Sequence, residues 1–307
     1  MLTYVNGDLF RSPAKVLVNT VNVVGVMGKG IAKDFKLIYP EMFQEYQRLC
    51  ESKQLDIGRV SLYRTPHKWV LNFPTKKHWR QPSKLEYIDA GLKAFVRGYA
   101  SNAITSVAFP PLGCGNGELD WERQVRPLME HYLDTLPIEV YIHLYRKDLS
   151  APEHRDFEET KRWLRSEPEN LSFSEVWDDL LDLLKNQSEF EAVDTHEQFR
   201  VRVTESPEMG LLFENDDSLF VPQDAVLDAW QFLRAVGYLT AEGLTHGIDA
   251  HAERFFALLS ELPYLKLTEI SSRPSNSAEL FCRAIQLVSR VSKQHTNNPS
   301  APHTVLT

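Results

Sequence analysis

Two hydrophobic periods take turns along the first 150 residues. Val16-Leu-Val-Asn-Thr-Val is a nearly continuous apolar run, the pattern of a buried strand. Arg59-Val-Ser-Leu-Tyr, Trp69-Val-Leu-Asn-Phe, Ser106-Val-Ala-Phe and Glu139-Val-Tyr-Ile-His-Leu-Tyr are shorter strand-like runs. Between them the spacing turns helical. Gly30 to Cys50 forms one such stretch, interrupted at Pro40, because proline cannot continue a helix. Leu85, Ile88, Leu92, Phe95 and Val96 fall on one face of a helix that Ser83 can N-cap and that reaches about Tyr99. Asp120 precedes another, through Met129 and Leu133. Strands alternating with helices predict an α/β unit with helices on both faces of a sheet.

The pattern changes at 148–170, which carries Pro152 and many charges, and the domain boundary is expected here, between 1–150 and 151–307. The second part opens on an acidic amphipathic helix, Phe173-Ser-Glu-Val-Trp-Asp-Asp-Leu-Leu-Asp-Leu-Leu. A hairpin around Glu205-Ser-Pro-Glu follows, then helices over 222–240, 249–262 and 277–293. These elements describe a smaller acidic α+β domain, and the polar tail from Gln294 is expected to be disordered.

Composition adds a charge asymmetry. The net charge of −8 divides into +5 over 1–150 (20 Lys+Arg, 15 Asp+Glu) and −13 over 151–307 (14 and 27). The first half tolerates an anionic ligand; the second repels nucleic acid and attracts basic protein surfaces. Cys50, Cys114 and Cys282 are far apart and odd in number, and no Cys/His cluster has zinc-ligand spacing, so reduced thiols and no metal site are expected. No apolar run is long enough to span a bilayer, and Met1-Leu-Thr-Tyr-Val-Asn-Gly-Asp does not have the form of a signal peptide. A cytoplasmic protein with no membrane partner is expected.

Two glycine-bearing loops follow strands, Asn22-Val-Val-Gly-Val-Met-Gly-Lys-Gly-Ile-Ala and Gly113-Cys-Gly-Asn-Gly. Strand, glycine loop and helix is how α/β proteins hold phosphate, because glycine admits a close anion and the helix N-terminus supplies N–H groups. Lys29 is followed by Gly30 rather than Ser or Thr, which excludes a P-loop, and the second loop lacks dinucleotide-fingerprint spacing. Each loop alone is equally a turn needing positive φ. The pair, at the carboxyl ends of strands, points to a ligand site.

Gly7-Asp8-Leu9, Val18-Asn-Thr-Val-Asn, Gly25-Val-Met-Gly-Lys-Gly-Ile-Ala and Pro111-Leu-Gly-Cys-Gly-Asn-Gly occur in macrodomain order. They resemble the branch that includes the terminal ADP-ribose protein glycohydrolase and DarG-type antitoxins, and Asn72-Phe-Pro-Thr-Lys-Lys-His-Trp-Arg is especially similar to the DarG type. The resemblance covers about the first 150 residues. It implies a three-layer α/β/α macrodomain with a mixed sheet. It implies an ADP-ribose site in which Asp8 binds the adenine amino group beside the Leu9 N–H, Thr20, Val21 and Asn22 meet the distal ribose, Met27, Gly28 and Ile31 form one wall, Thr75 leads into the active lysine, and Gly113, Cys114, Gly115, Asn116 and Gly117 cradle the diphosphate. On residue type alone, Asp8 is equally a turn or cap residue.

In an extended segment only one of Lys76 and Lys77 faces the cleft. The family pattern puts the active lysine directly after the threonine, which selects Lys76. The reaction implied is glycosidic cleavage at the anomeric carbon of the distal ribose. Lysine can stabilise the leaving group as a cation or attack the opened sugar as an amine. The glycohydrolase branch pairs its lysine with an acid in the second loop; here that position falls on Asn116 or Gly117, with Glu118 and Asp120 displaced. Lys76, positioned by Asn22, acts alone on this reading, and no cofactor is implied. His78 is either a proton shuttle or a surface histidine.

DarG-type proteins remove ADP-ribose from thymidine in single-stranded DNA and neutralise a DarT-type toxin. On that reading Lys68, Lys76, Lys77 and Arg80 around Trp79 form a DNA contact, and the acidic domain captures the toxin. An ordinary solvated loop and a solubilising or oligomerising domain are the plainer alternatives. A glycohydrolase acting on glutamate-linked ADP-ribose in proteins and a non-catalytic ADP-ribose reader remain the competing functions.

Overall fold

A computed structural model of the chain describes residues 1–144, 155, 157–206, 208–214, 218–271 and 281–288. The chain divides into two compact units, one of residues 1–164 and 170–188, the other of residues 165–169 and the described residues from 189 onward.

The first unit contains, in chain order, β1 (Leu2–Val5), β2 (Val16–Asn22), α1 (Gly30–Ile38), α2 (Pro40–Glu51), β3 (Ser61–Arg64), β4 (Trp69–Lys76), α3 (Leu85–Gly98), β5 (Ser106–Phe109), α4 (Arg126–Leu133), β6 (Glu139–His143), α5 (Phe157–Leu164) and α6 (Phe173–Asn186). The strands form one sheet in the order β1-β6-β5-β2-β4-β3. Every pair is parallel except β3–β4, so the sheet is mixed. Side chains alternate between two cores. Val16, Val18, Leu71, Phe73, Val107, Phe109, Val140 and Ile142 meet α3 and α4 through Leu92, Phe95, Met129 and Leu133. Leu17, Val21, Val70 and Ala108 meet Phe35, Phe43 and Tyr46 of α1 and α2. Helices therefore cover both faces, giving the three layers, and burial on both faces explains the unbroken apolar run of β2.

Pro40 opens α2 at its first turn, where its missing N–H costs no helical bond. Ser83 does not cap α3. Lys84 occupies the cap, and Ser83 is buried, its N–H donating to the Gly117 carbonyl at 3.0 Å, so the second glycine loop has claimed it.

The first compact unit also runs past residue 150, where the boundary was expected. The acidic helix expected to open the second domain is α6, and it belongs to the first unit. Phe173, Val176, Trp177 and Leu180 are buried along it. Counted by compact unit, the first holds 24 Lys+Arg and 23 Asp+Glu, the second 10 and 19. The second unit is still acidic, but part of the acidity assigned to it is structural charge of the first.

The second unit contains β7 (Glu189–Glu191), β8 (Gln198–Thr204), β9 (Gly210–Glu214), β10 (Leu219–Pro222), α7 (Gln223–Val236), β11 (Tyr238–Thr240), α8 (Ala252–Ser260), β12 (Leu265–Ile270) and β13 (Cys282–Leu287). One antiparallel sheet is ordered β10-β9-β8-β7, another β11-β13-β12. The helix expected over 222–240 stops at Val236, because Gly237 takes φ +88° and turns the chain into β11. The helix expected over 277–293 is not formed at 282–287, where β13 is hydrogen-bonded on both sides, to β11 and to β12. Pairing with two neighbours overrides local spacing there. Residues 281 and 288 are not helical either, and 277–280, 289–293 and the tail from Gln294 lie outside the described residues. No helix among the described residues is long and apolar enough to cross a membrane.

Candidate active site

Because β1, β6, β5, β2 and β4 run parallel, their carboxyl ends share one edge of the sheet. Gly7-Asp8-Leu9, the loop from Val23 into α1, Lys77 onward and the loop from Pro110 all leave from it. The two glycine loops follow β2 and β5, which are adjacent at the centre of the sheet, where the strand order reverses direction. That is where an open α/β sheet forms its binding crevice.

The loops meet. Gly30 has φ +60°, and a Cβ there would lie 2.8 Å from Asn116 Nδ2. Gly30 also begins α1, whose cap residue Lys29 provides no side-chain hydrogen bond to the first turn. First-turn N–H groups without a side-chain cap are anion donors. In the second loop, Gly113 has φ +69°, and a Cβ on Gly117 would overlap the Ser83 hydroxyl and the Gly113 carbonyl, whereas a Cβ on Gly115 meets nothing within 4 Å. Two glycines therefore shape this loop and the third faces open space. Cys114 is buried, with Sγ 3.4 Å from the Leu112 carbonyl.

Lys76 ends β4 and is buried, while Lys77 is exposed. The β2–β4 register moves from Val21↔Pro74 to Asn22↔Lys76, so Thr75 is an extra residue in β4. This bulge places Lys76 directly opposite Asn22. Thr75 is buried, its hydroxyl 3.4 Å from the Val21 carbonyl. Asn22 is committed to its own loop. Its Oδ1 accepts from the N–H groups of Val24 and Val26 and from the Tyr46 hydroxyl at 3.0–3.2 Å, and Nδ2 donates to the Val26 carbonyl at 2.6 Å. Its amide thus shapes the wall beside Lys76.

Asp8 is exposed, and its Oδ1 accepts from the Phe10 N–H at 3.1 Å, capping the short turn Leu9–Arg11. Leu9, Val21 and Met27 are buried in the core shared with α1 and α2, Ile31 packs against that core, and Thr20 and Gly28 are half-buried. The displaced acids of the second loop are occupied. Glu118 pairs with Arg155, and Asp120 accepts from the Arg123 N–H at 2.8 Å as a helix cap.

The expected DNA contact is not assembled as a surface. Trp79 is fully buried, its Nε1 donating to Glu175 Oε1 at 2.7 Å, so it has no face to offer a base. Arg80 is ion-paired with Glu175 and Asp178. Lys68 sits just before β4, at the opposite end of the strand, roughly 20 Å or more away at strand rise. There it donates to the Ser12 and Ala14 carbonyls at 2.8 and 2.6 Å. Lys77 is the exposed cation of that stretch. His78 is half-buried rather than a surface histidine; burial, reinforced by the Arg80 charge, pushes its pKa down to about 4. Its Nδ1 accepts from the Arg80 N–H at 3.1 Å. The carboxylates of α6, the Ser83 bridge and the Tyr46 hydroxyl had no local signal; their roles arise from residues distant in sequence.

Residues 18–128 match the family model of the Macro domain. That stretch of the first unit is a macrodomain. Over 126 residues the chain is 56% identical to a DNA ADP-ribosyl glycohydrolase of Mycobacterium tuberculosis, a stretch covering 40% of this chain and 36% of that protein. It is 45% identical over 148 residues to the DNA ADP-ribosyl glycohydrolase of Thermus aquaticus, covering 47% and 41%. It is 38% identical over 162 residues to a DNA ADP-ribosyl transferase–DNA ADP-ribosyl glycohydrolase fusion protein of Thermosipho africanus, covering 47% and 42%. The matched stretches thus span about two-fifths of these relatives. Both glycine loops and Lys76 lie within the residues that match the family model.

Proposed function

We propose that this macrodomain binds ADP-ribose across the two glycine loops and that Lys76 releases it from ADP-ribosylated thymidine in single-stranded DNA. The observation that carries the reading is the convergence of Gly30 and Asn116 beside a strand end where a bulge sets Lys76 opposite Asn22. The diphosphate lies against the first turn of α1 and the Gly113–Gly117 backbone, Asp8 takes the adenine amino group, and the distal ribose reaches Thr20, Asn22 and Lys76. Lys76 works without a loop-two acid, since Glu118 and Asp120 hold other partners. Lys77 contacts the DNA phosphate.

The second unit, with 10 Lys+Arg against 19 Asp+Glu, binds a basic DarT-type toxin. The fused transferase–glycohydrolase relative supports that pairing. Binding of the full chain to the toxin is expected to weaken as salt rises.

The test of the catalytic reading is release of free ADP-ribose from a modified oligonucleotide by wild type and by Lys76→Ala. Release by wild type and loss of at least about 100-fold in the variant, with ADP-ribose affinity kept, is the expected result. No release by wild type overturns the enzyme reading, and release only from glutamate-modified protein overturns the DNA substrate.

A further inference from the structure

We propose that α6 is a working part of this site: Glu175 and Asp178 are positioning residues that hold the Trp79–Arg80 segment and, through it, the backbone that presents Lys76. The inference rests on the Lys76 reading above. It concerns an element beyond residues 18–128, the stretch that matches the macrodomain family.

The carboxylate of Glu175 is fully buried and divided between two partners. Oε1 accepts from Trp79 Nε1 at 2.7 Å and Oε2 from Arg80 Nη2 at 2.8 Å. Asp178, one turn further along α6, takes the other arm of the guanidinium at 2.5 Å. Residues three apart share a helix face, so both carboxylates converge on Arg80, which also lies over the Trp79 ring at 4.7 Å. A carboxylate with no solvent persists only with charged and hydrogen-bonding partners, which makes this contact highly directional.

The clamp acts three to four residues after Lys76. The chain turns there, the Gln81 N–H donating to the His78 carbonyl at 3.0 Å, and is caught again where the Ser83 N–H meets the Gly117 carbonyl. The segment after Lys76 is thus anchored by β4 at its start, by α6 in its middle and by the second glycine loop at its end. The start of α6 also braces the first glycine loop. Ser174 Oγ donates to the Val24 carbonyl at 3.2 Å, and Gln47 Nε2 bridges the Gly25 and Asn170 carbonyls at 3.2 and 2.9 Å. One helix therefore ties the lysine segment to the loop bearing Asn22. Lys76 has a long flexible stem, and a nucleophile or cation that must meet one carbon of a bound sugar loses rate when its backbone drifts by an ångström. His78, Glu175 and Asp178 also have ligand atoms within 4.8 Å of one another, but Arg80 already supplies the cation those carboxylates hold.

The experiment uses the full chain and the ADP-ribosylated oligonucleotide. Glu175→Gln keeps an acceptor for Trp79 and removes the charge that holds Arg80. We expect kcat to fall roughly tenfold or more, with KM and ADP-ribose affinity changing less than about threefold. Arg80→Met is expected to act similarly, and the double variant to be no worse than the weaker single, as partners in one contact behave. Asp178→Asn, nearer the surface, is expected to lower kcat about threefold and serves if Glu175→Gln does not fold. Unchanged kcat in the folded variants overturns the inference, as does an equal loss of kcat and ADP-ribose affinity, which marks a general collapse of the site. A wild type that releases no ADP-ribose sinks the hydrolase reading and this inference together; an active wild type with unaffected variants sinks this inference alone.

Discussion

The second glycine loop offers three substitutions with three different physical outcomes. At Gly117 an added Cβ overlaps the Gly113 carbonyl and the Ser83 hydroxyl. One obstacle is backbone and the other belongs to a buried residue, so neither yields cheaply, and overpacking of this kind costs about 1–3 kcal/mol. At Gly113 the strain is conformational, with φ +69°, and the Cβ would also lie 2.9 Å from Leu119 Cδ1; a left-handed non-glycine residue costs roughly 1–2 kcal/mol. At Gly115 nothing lies within 4 Å, and no strain is expected. A unit of this size loses about 2–4 °C of Tm per kcal/mol. Gly117→Ala and Gly113→Ala are thus each expected to melt several degrees low, and Gly115→Ala at the wild-type temperature. Thermal denaturation followed by circular dichroism, with urea titration as a check, reads this directly. Calorimetry with ADP-ribose then asks what fills the space at Gly115. Gly115→Val is expected to keep its fold and weaken binding about tenfold or more, because only a ligand is there to collide with. A wild-type Tm for Gly117→Ala refutes the packing argument, and wild-type affinity in Gly115→Val refutes the placement of the ligand.

Two further outcomes follow from the buried segment after Lys76. Trp79→Phe deletes the N–H that Glu175 accepts while keeping most of the ring, and a buried acceptor stripped of its donor costs about 1–3 kcal/mol; a Tm unchanged by this variant would restore Trp79 as a surface residue. His78 makes folding sensitive to acid. Its folded pKa of about 4 lies below the ordinary 6.5, so between those values the unfolded chain takes up a proton that the folded chain refuses. Stability from this residue is full above pH 6.5 and declines towards pH 4. Wild type is expected to lose more Tm across that window than His78→Gln, and equal losses contradict the assigned burial.

Much of the macrodomain was legible along the chain. Five of the six strands, all but β1, the break at Pro40 and the covering of both sheet faces follow from period and punctuation, because burial on one or two faces is written into which positions are apolar. The glycine loops were legible as a pair, and alternation separated the two lysines, of which Lys76 is buried and Lys77 exposed. The errors have a common source. Trp79 and Arg80 form a mixed aromatic and cationic run that reads the same whether it faces solvent or a buried carboxylate. The 282–287 stretch reads as helix until two strands flank it.

The sequence by itself therefore determined the local vocabulary of this protein: a β/α alternation, two glycine turns, a lysine after a threonine, and an excess of acid in the second part. Only the tertiary structure decided which of those charges are surface and which are scaffold. Glu175 lies 96 residues from Trp79 in the chain yet is its hydrogen-bond partner. Gly30 is held against Asn116 because β2 and β5 are neighbours in the sheet. Local periodicity records whether a side chain is buried; the partner that makes a buried charge tolerable is set by chain topology, which no window of sequence contains.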